Sequence, residues 1–348
     1  MRTLKAVPVA ACCLGATCLV ASAPATATPL DDAAPPPAAE QGPYYVTNPG
    51  DQVGEAADIV VDGDASEWSP QAVVAQGVAN DDPRIFRGSH EGPVYDLYSL
   101  SAAWDDANLY LMWQITNVTD VVDPGQTYPV SDNGKPYAGD IPMSVALDVD
   151  PEVAADGLVD GTKKGVWGIK STYAPTQGVD RLVMFSAKPG VGKPSLFLPN
   201  ASGSFDYEEE NVLGFAKAGI ELEHADGLVT EGVLGIDDNG GSGYAPEDLL
   251  DEDLYEDLAA AGHDAAQDTT YEMKIPLKAL GTTSDALTTD GIGVLLTATF
   301  GESAIGSLPQ DPVVLDHATE PYSADTSTSA EKEDADAFSV PLARIGHE

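Results

Sequence analysis

Hydrophobic runs in this chain mostly alternate with polar positions at a period of two, the period of a strand with one buried face. The clearest is 101–115, SAAWDDANLYLMWQI. Residues 102–104 lead into an acidic turn at 105–108. Leu109, Leu111, Trp113 and Ile115 then share one face, and Tyr110, Met112 and Gln114 share the other. The same reading predicts strands at 94–100, 141–149, 166–169, 181–186, 195–198, 269–277, 291–300 and 337–342. Residues 44–46 open the first ordered edge, and 72–78 form a short apolar segment. The run 205–215, with Glu208, Glu209 and Glu210, reads as surface or edge.

Ahead of these stands 59–68, IVVDGDASEW. An apolar run is cut by Asp62, Gly63 and Asp64 and followed by Trp68. It predicts a first strand, a tight turn, and an indole plugging one end of the core. Residues 122–140, which contain Pro124, Gly125, Pro129, Asn133, Gly134 and Pro136, predict a long loop, and 227–243 is rich in glycine. One segment changes period. Pro246 opens a run in which Leu250, Leu254 and Leu258 recur every four residues, so a helix is expected at about 244–262 as an insertion docked on a sheet. The fold class is therefore all-β: a β-sandwich of two mostly antiparallel sheets with one inserted helix.

The amino end does not belong to that fold. Arg2 and Lys5 precede an apolar run at 7–20 and an Ala-Thr-Ala pattern at 25–27, the form of an export signal spanning 1–27; a second small-x-small pattern stands at 21–23. The apolar run is shorter than the ~20 residues of a membrane span. Residues 28–43 are a Pro/Ala-rich leader, and 44–348 read as a single sandwich domain. The chain is thus expected to be secreted. Cys12, Cys13 and Cys18 all lie within the signal, so the mature chain would carry no disulfide.

Charge narrows the partners. With 57 acidic residues against 16 basic, the net charge is −41. Nucleic acid is excluded for want of a basic patch, as is binding to an anionic membrane. Self-repulsion of this size calls for screening by salt or neutralisation by divalent cations; solubility alone is the plainer account.

Three segments, in this order, carry a family resemblance. VVDGDASEW (60–68), AAWDDANLYLMWQI (102–115) and YEMKIPLKAL (271–280) resemble the motifs of family 9 carbohydrate-binding modules and their DOMON-like relatives, over about residues 56–342. The resemblance implies a β-sandwich that binds calcium structurally. In many members it implies a sugar held between aromatic rings, and in some relatives haem b held by Met and by His or Lys. Asp62, Gly63, Trp68 and Trp104 would be core-motif residues. The helical insertion and the acidic tail depart from that pattern.

Candidate chemistry follows. Calcium favours several oxygens on flexible loops. Asp148 and Asp150 close one strand, and the tail offers Asp316, Glu320, Glu331, Glu333, Asp334 and Asp336; Asp237, Asp238 and Asn239 are a third option. None has EF-hand spacing. For sugar stacking, Trp167 stands out because it sits beside Lys163, Lys164 and Gly165 with Tyr173 nearby. For non-covalent haem b, Met112, Met143, Met184, Met273, His90 and His224 are available, although a strand methionine is more often core. Enzymatic signatures are missing: there is no HExxH, no GxSxG and no thiol outside the signal, and 192–195 lacks phosphate-loop spacing. The expectation is a secreted, calcium-stabilised, non-catalytic glycan-binding protein. The alternatives are a structural surface or assembly subunit that self-associates through its sheet edges, or a haem-binding electron carrier.

Overall fold

A computed structural model describes residues 46–77, 96–116, 142–150, 159–160, 170–186, 193–200, 205, 211–225, 268–300, 303–311, 313 and 336–347. The helix expected at 244–262, the strand at 166–169 and the loop at 122–140 lie outside these residues.

Seven strands form the first sheet: β1 (Val46–Thr47), β2 (Glu55–Ala56), β3 (Val73–Gln76), β4 (Asp96–Trp104), β5 (Asn108–Thr116), β12 (Glu221–Ala225) and β13 (Thr269–Pro276). Their order is β1-β3-β4-β5-β13-β12, with β2 parallel to β4 at its far end. The second sheet holds β6 (Met143–Asp148), β9 (Arg181–Phe185), β10 (Ser195–Phe197), β11 (Val212–Gly214), β14 (Ile292–Phe300), β15 (Ser303–Leu308) and β17 (Ala343–Ile345). Its order is β11-β10-β9-β6-β14-β15, with β17 beside β14. A third, small sheet joins β7 (Val159–Asp160), β8 (Lys170–Tyr173) and β16 (Asp336–Phe338), of which β8 and β16 run parallel. The architecture is an all-β sandwich.

The period of two builds this core. Leu100, Ala102 and Trp104 of β4, Leu109, Leu111, Trp113 and Ile115 of β5, and Tyr271, Met273 and Ile275 of β13 all enter one buried cluster with Met143, Val145 and Leu147 of β6 and with Phe185 of β9. Trp113 stacks on its cross-strand partner Tyr271 at 5.3 Å and 7° between planes. It also leans on Phe185 of the opposite sheet at 5.4 Å. Aromatic pairs across a strand and across the sandwich are the strongest single units of such a core.

Three expectations change. Ile59, Val60 and Val61 form no strand; they run over the outer face of the first sheet, where Ile59 is buried and Val60 is 61% exposed. The last expected strand, 337–342, is two. β16 stops at Phe338, Pro341 cannot donate to a ladder, and β17 begins at Ala343 to pair with β14. The structure also adds short helices: α1 (Phe215–Ala218), α2 (Leu277–Leu280) and α3 (Ser284–Asp290). The last is capped by Thr283, whose hydroxyl accepts the Ala286 N–H at 3.2 Å.

Candidate functional site

The three motifs meet at one side chain. Glu272 lies on the outward face of β13, yet it is fully buried. Its Oε2 accepts the backbone N–H of Asp62 at 2.8 Å and of Gly63 at 2.6 Å. Its Oε1 accepts the Trp68 indole N–H at 2.6 Å. The Asp-Gly turn, the indole and the Glu of YEMKIP are therefore one constellation. Around it a second apolar cluster assembles: Ile59, Trp68 and Ala72 from the opening loop, Ala103 from β4, and Tyr110 and Met112 from β5. Met112 is the cross-strand partner of Glu272, and Ala103 of Tyr110. Trp68 thus covers the outside of the first sheet and does not plug the inter-sheet core, whereas Trp104 belongs to that core.

Local chemistry shapes the loop. Asp62 Oδ1 accepts the Asp64 N–H at 3.0 Å and Asp64 Oδ1 accepts the Ser66 N–H at 2.9 Å, so consecutive Asx turns fold it back. Those Ser66 contacts hold the Asp64 carboxyl below its ordinary range. Gly63 has φ +87°, and a Cβ there would stand 2.8 Å from the His224 carbonyl carbon of β12. Only glycine permits both that dihedral and that approach. In the second motif, Asp105 accepts the N–H groups of Ala107 and Asn108 at 2.6 Å each, and the Tyr110 hydroxyl at 2.6 Å. Burial and the Asp105 carboxyl together push the Tyr110 hydroxyl well above its usual range.

A charged cluster closes the end of β6. Asp180 is fully buried; its oxygens accept the N–H groups of Val149 at 3.0 Å and Asp150 at 2.9 Å, and Arg181 Nη1 lies 3.4 Å away. Burial outweighs Arg181 and those hydrogen bonds, and raises its carboxyl to about 6. Asp148 faces Arg344 Nη1 at 3.7 Å, and its carboxyl is raised by burial despite that guanidinium. Among the described residues no three His, Cys, Asp or Glu side chains are grouped so as to hold a metal ion. Of the expected calcium ligands, Asp148 is set against an arginine, Asp150 is exposed, and Asp336 is buried, with its Oδ2 accepting the Ala304 N–H at 2.7 Å. Asp316, Glu331, Glu333 and Asp334 lie outside the described residues, as does Glu320.

The sugar residues divide as well. Trp167 lies outside the described residues. Tyr173, expected as an exposed ring, is 3% exposed. Its ring stacks on Phe338 at 5.7 Å and meets Phe205 edge-on at 6.5 Å. Phe338 and Phe205 enclose that ring within the main core cluster, so it presents no free face for a sugar. Of the haem candidates, Met143, Met184 and Met273 are fully buried in the main core and Met112 is in the outer cluster. His224 sits on β12 with its ring edge-on to Tyr271 at 6.1 Å. His90 lies outside the described residues.

No protein-family model matches the chain, and no curated protein matches it. Among solved structures, the chain is similar to a family 9 carbohydrate-binding module from Caldicellulosiruptor kristjanssonii in complex with cellotriose. That match has 12% identity, a TM-score of 0.27, and covers 73% of this chain and 80% of the module. A family 9 module from the same organism in complex with glucose gives 10% identity, a TM-score of 0.26, and coverage of 73% and 82%. At these values the superposition establishes neither a shared family nor a shared ligand.

Two outcomes are expected. In a double-mutant cycle, Trp68→Phe and Glu272→Met should couple by about 1–3 kcal/mol, since either change removes the same buried hydrogen bond. Trp113→Phe should couple to Glu272→Met by less than about 0.5 kcal/mol, because the Trp113 indole N–H has no partner among the described residues. Equal couplings in urea melts would refute the constellation. Asp180 supplies the pH test. Its folded value of about 6 stands above the ordinary 3.8, so the folded chain binds the extra proton between those values. Its contribution to stability should fall as pH rises from about 4 to about 6, by on the order of 3 kcal/mol. The unfolding free energy of the wild type minus that of Asp180→Asn should decline across that window. A difference that grows with pH would show instead that Arg181 dominates.

Proposed function

We propose that this chain is an exported, non-catalytic glycan-binding β-sandwich, with calcium bound among the acids of 316–336 and Trp167 offering a ring to a sugar. The observation that carries the reading is the convergence of the three resembling motifs on Glu272, because residues more than 200 positions apart make one physical unit. With Trp68, Trp104 and Trp113 all buried, Trp167 is the remaining tryptophan of the chain's four. Pyranose rings stack on such faces, and neighbouring loop carboxylates or amides orient the hydroxyls. Among the described residues no helix is long and apolar enough to cross a membrane.

Binding to a panel of immobilised polysaccharides, with calcium present, tests the central claim. Trp167→Ala should weaken binding at least about tenfold while shifting the melting temperature by no more than about 2 °C, as loss of an exposed contact residue does. Absence of binding to any glycan by the full chain would sink the reading. Protein recovered from the culture medium should begin at residue 28, and chelation should lower its melting temperature, since an ion held only by the folded state stabilises it by mass action. A retained amino terminus, or an identical melt after verified removal of metal, would count against export and calcium respectively.

A further inference from the structure

We infer that at the strand end where the sequence offers Asp148 and Asp150 as calcium ligands the chain's own guanidinium groups take the place of the ion, so that Arg344 and Arg181 are the resident cations of this carboxyl cluster. The claim goes beyond the glycan reading and does not depend on it. Asp148 and Asp150 are the pair that the sequence offers to a hard divalent ion at this end of the second sheet, and the fold sets the Asp180 carboxyl against the backbone N–H groups of Val149 and Asp150.

Their surroundings are wrong for one. Arg344 Nη1 is 3.7 Å from Asp148 Oδ2, and Arg181 Nη1 is 3.4 Å from Asp180 Oδ2. The Asp180 oxygens already face two backbone N–H groups, whose positive ends would oppose a cation. The turn at 175–178 comes close on another side: a Cβ on Gly178, at φ +65°, would stand 2.9 Å from Asp148 Oδ1.

Both arginines are also fastened from behind. Arg344 Nη2 donates to the Asp290 carbonyl at 2.7 Å, at the end of α3. Arg181 Nε donates to the Leu280 carbonyl at 2.9 Å, at the end of α2, and its Nη1 donates to the Asp180 carbonyl at 2.8 Å. Each guanidinium therefore joins a carboxyl of the sheet to the last carbonyls of a short helix, which have no partner within the helix itself. A spherical ion could neutralise the charge. It could not reproduce this directional bridging, which needs a planar fork of N–H donors.

The test is thermal melting of the full chain, Arg344→Met, Asp148→Asn and the double variant, each in excess EDTA and in excess calcium chloride. In EDTA each single variant should melt about 2–6 °C below the parent. The double variant should melt higher than the two losses combined would place it. The shift produced by calcium should be equal in the parent and in Asp148→Asn, whether that shift is large or nil. Arg344→Lys keeps the charge, should lose less than Arg344→Met, and stands in for it if that variant does not fold. A calcium shift diminished by Asp148→Asn overturns the inference, and so do strictly additive losses in the double variant.

Discussion

The structure depends on a carboxyl group that faces away from the main core. Glu272 gathers the opening loop onto the outside of the first sheet, and without it the loop would have nothing polar to close on. Burying a carboxyl costs several kcal/mol unless each oxygen finds donors. Here three N–H groups from residues 62, 63 and 68 supply them. The apolar cover of Ile59, Trp68 and Ala72 over Ala103, Tyr110 and Met112 then keeps water from competing. Each half requires the other: the cover makes the hydrogen bonds strong, and the hydrogen bonds fix the cover.

The same device recurs wherever the chain must tie a distant segment. Asp311 accepts the N–H groups of Val313, Ser339 and Val340, which fastens the turn after β16. Asp336 takes the N–H of Ala304, and Asp180 those of Val149 and Asp150. The cysteines of this chain are confined to residues 12–18, so covalent cross-links are not available to its sheets. Buried carboxyls accepting backbone N–H groups across tens to hundreds of residues serve in their place. Part of the acidic excess is thus internal architecture and does not answer to solubility, salt or metal.

Strands with a clean alternation were legible in the sequence. β5, β13 and β14 fall within about a residue of their expected spans because large apolar side chains recur on their inward faces and turn residues bound them, although their outer faces are largely buried as well. The opening run misled for a physical reason. Three consecutive apolar residues at 59–61 suit a strand, but they serve a second, outer cluster that periodicity cannot distinguish from the first. α3 has readable signals in Thr283 as cap, Asp285 in the first turn and Gly291 after the last. The edge strand β12 carries little signal in the sequence, because its apolar positions are few and only half-buried. Tyr173 could not be placed from its neighbours in sequence, since the rings that enclose it come from positions 205 and 338. The motifs of the candidate site were visible as separate strings. That Glu272 is their meeting point was not, because nothing local marks a glutamate whose partners lie two hundred residues away.

Scarcity gives the two arginines their meaning. In a chain with 16 basic residues against 57 acidic ones, cations held for solubility or screening would sit far out in solvent, where the negative field is broad. Arg181 and Arg344 do not. Their side chains are 16% and 35% exposed, and each is directed at a single carboxyl by a hydrogen bond to the end of a helix. Partial burial strengthens the attraction, and prior fastening removes much of the rotamer entropy that makes surface ion pairs weak. At the end of β6 the fold itself thus sets a guanidinium against each of Asp148 and Asp180.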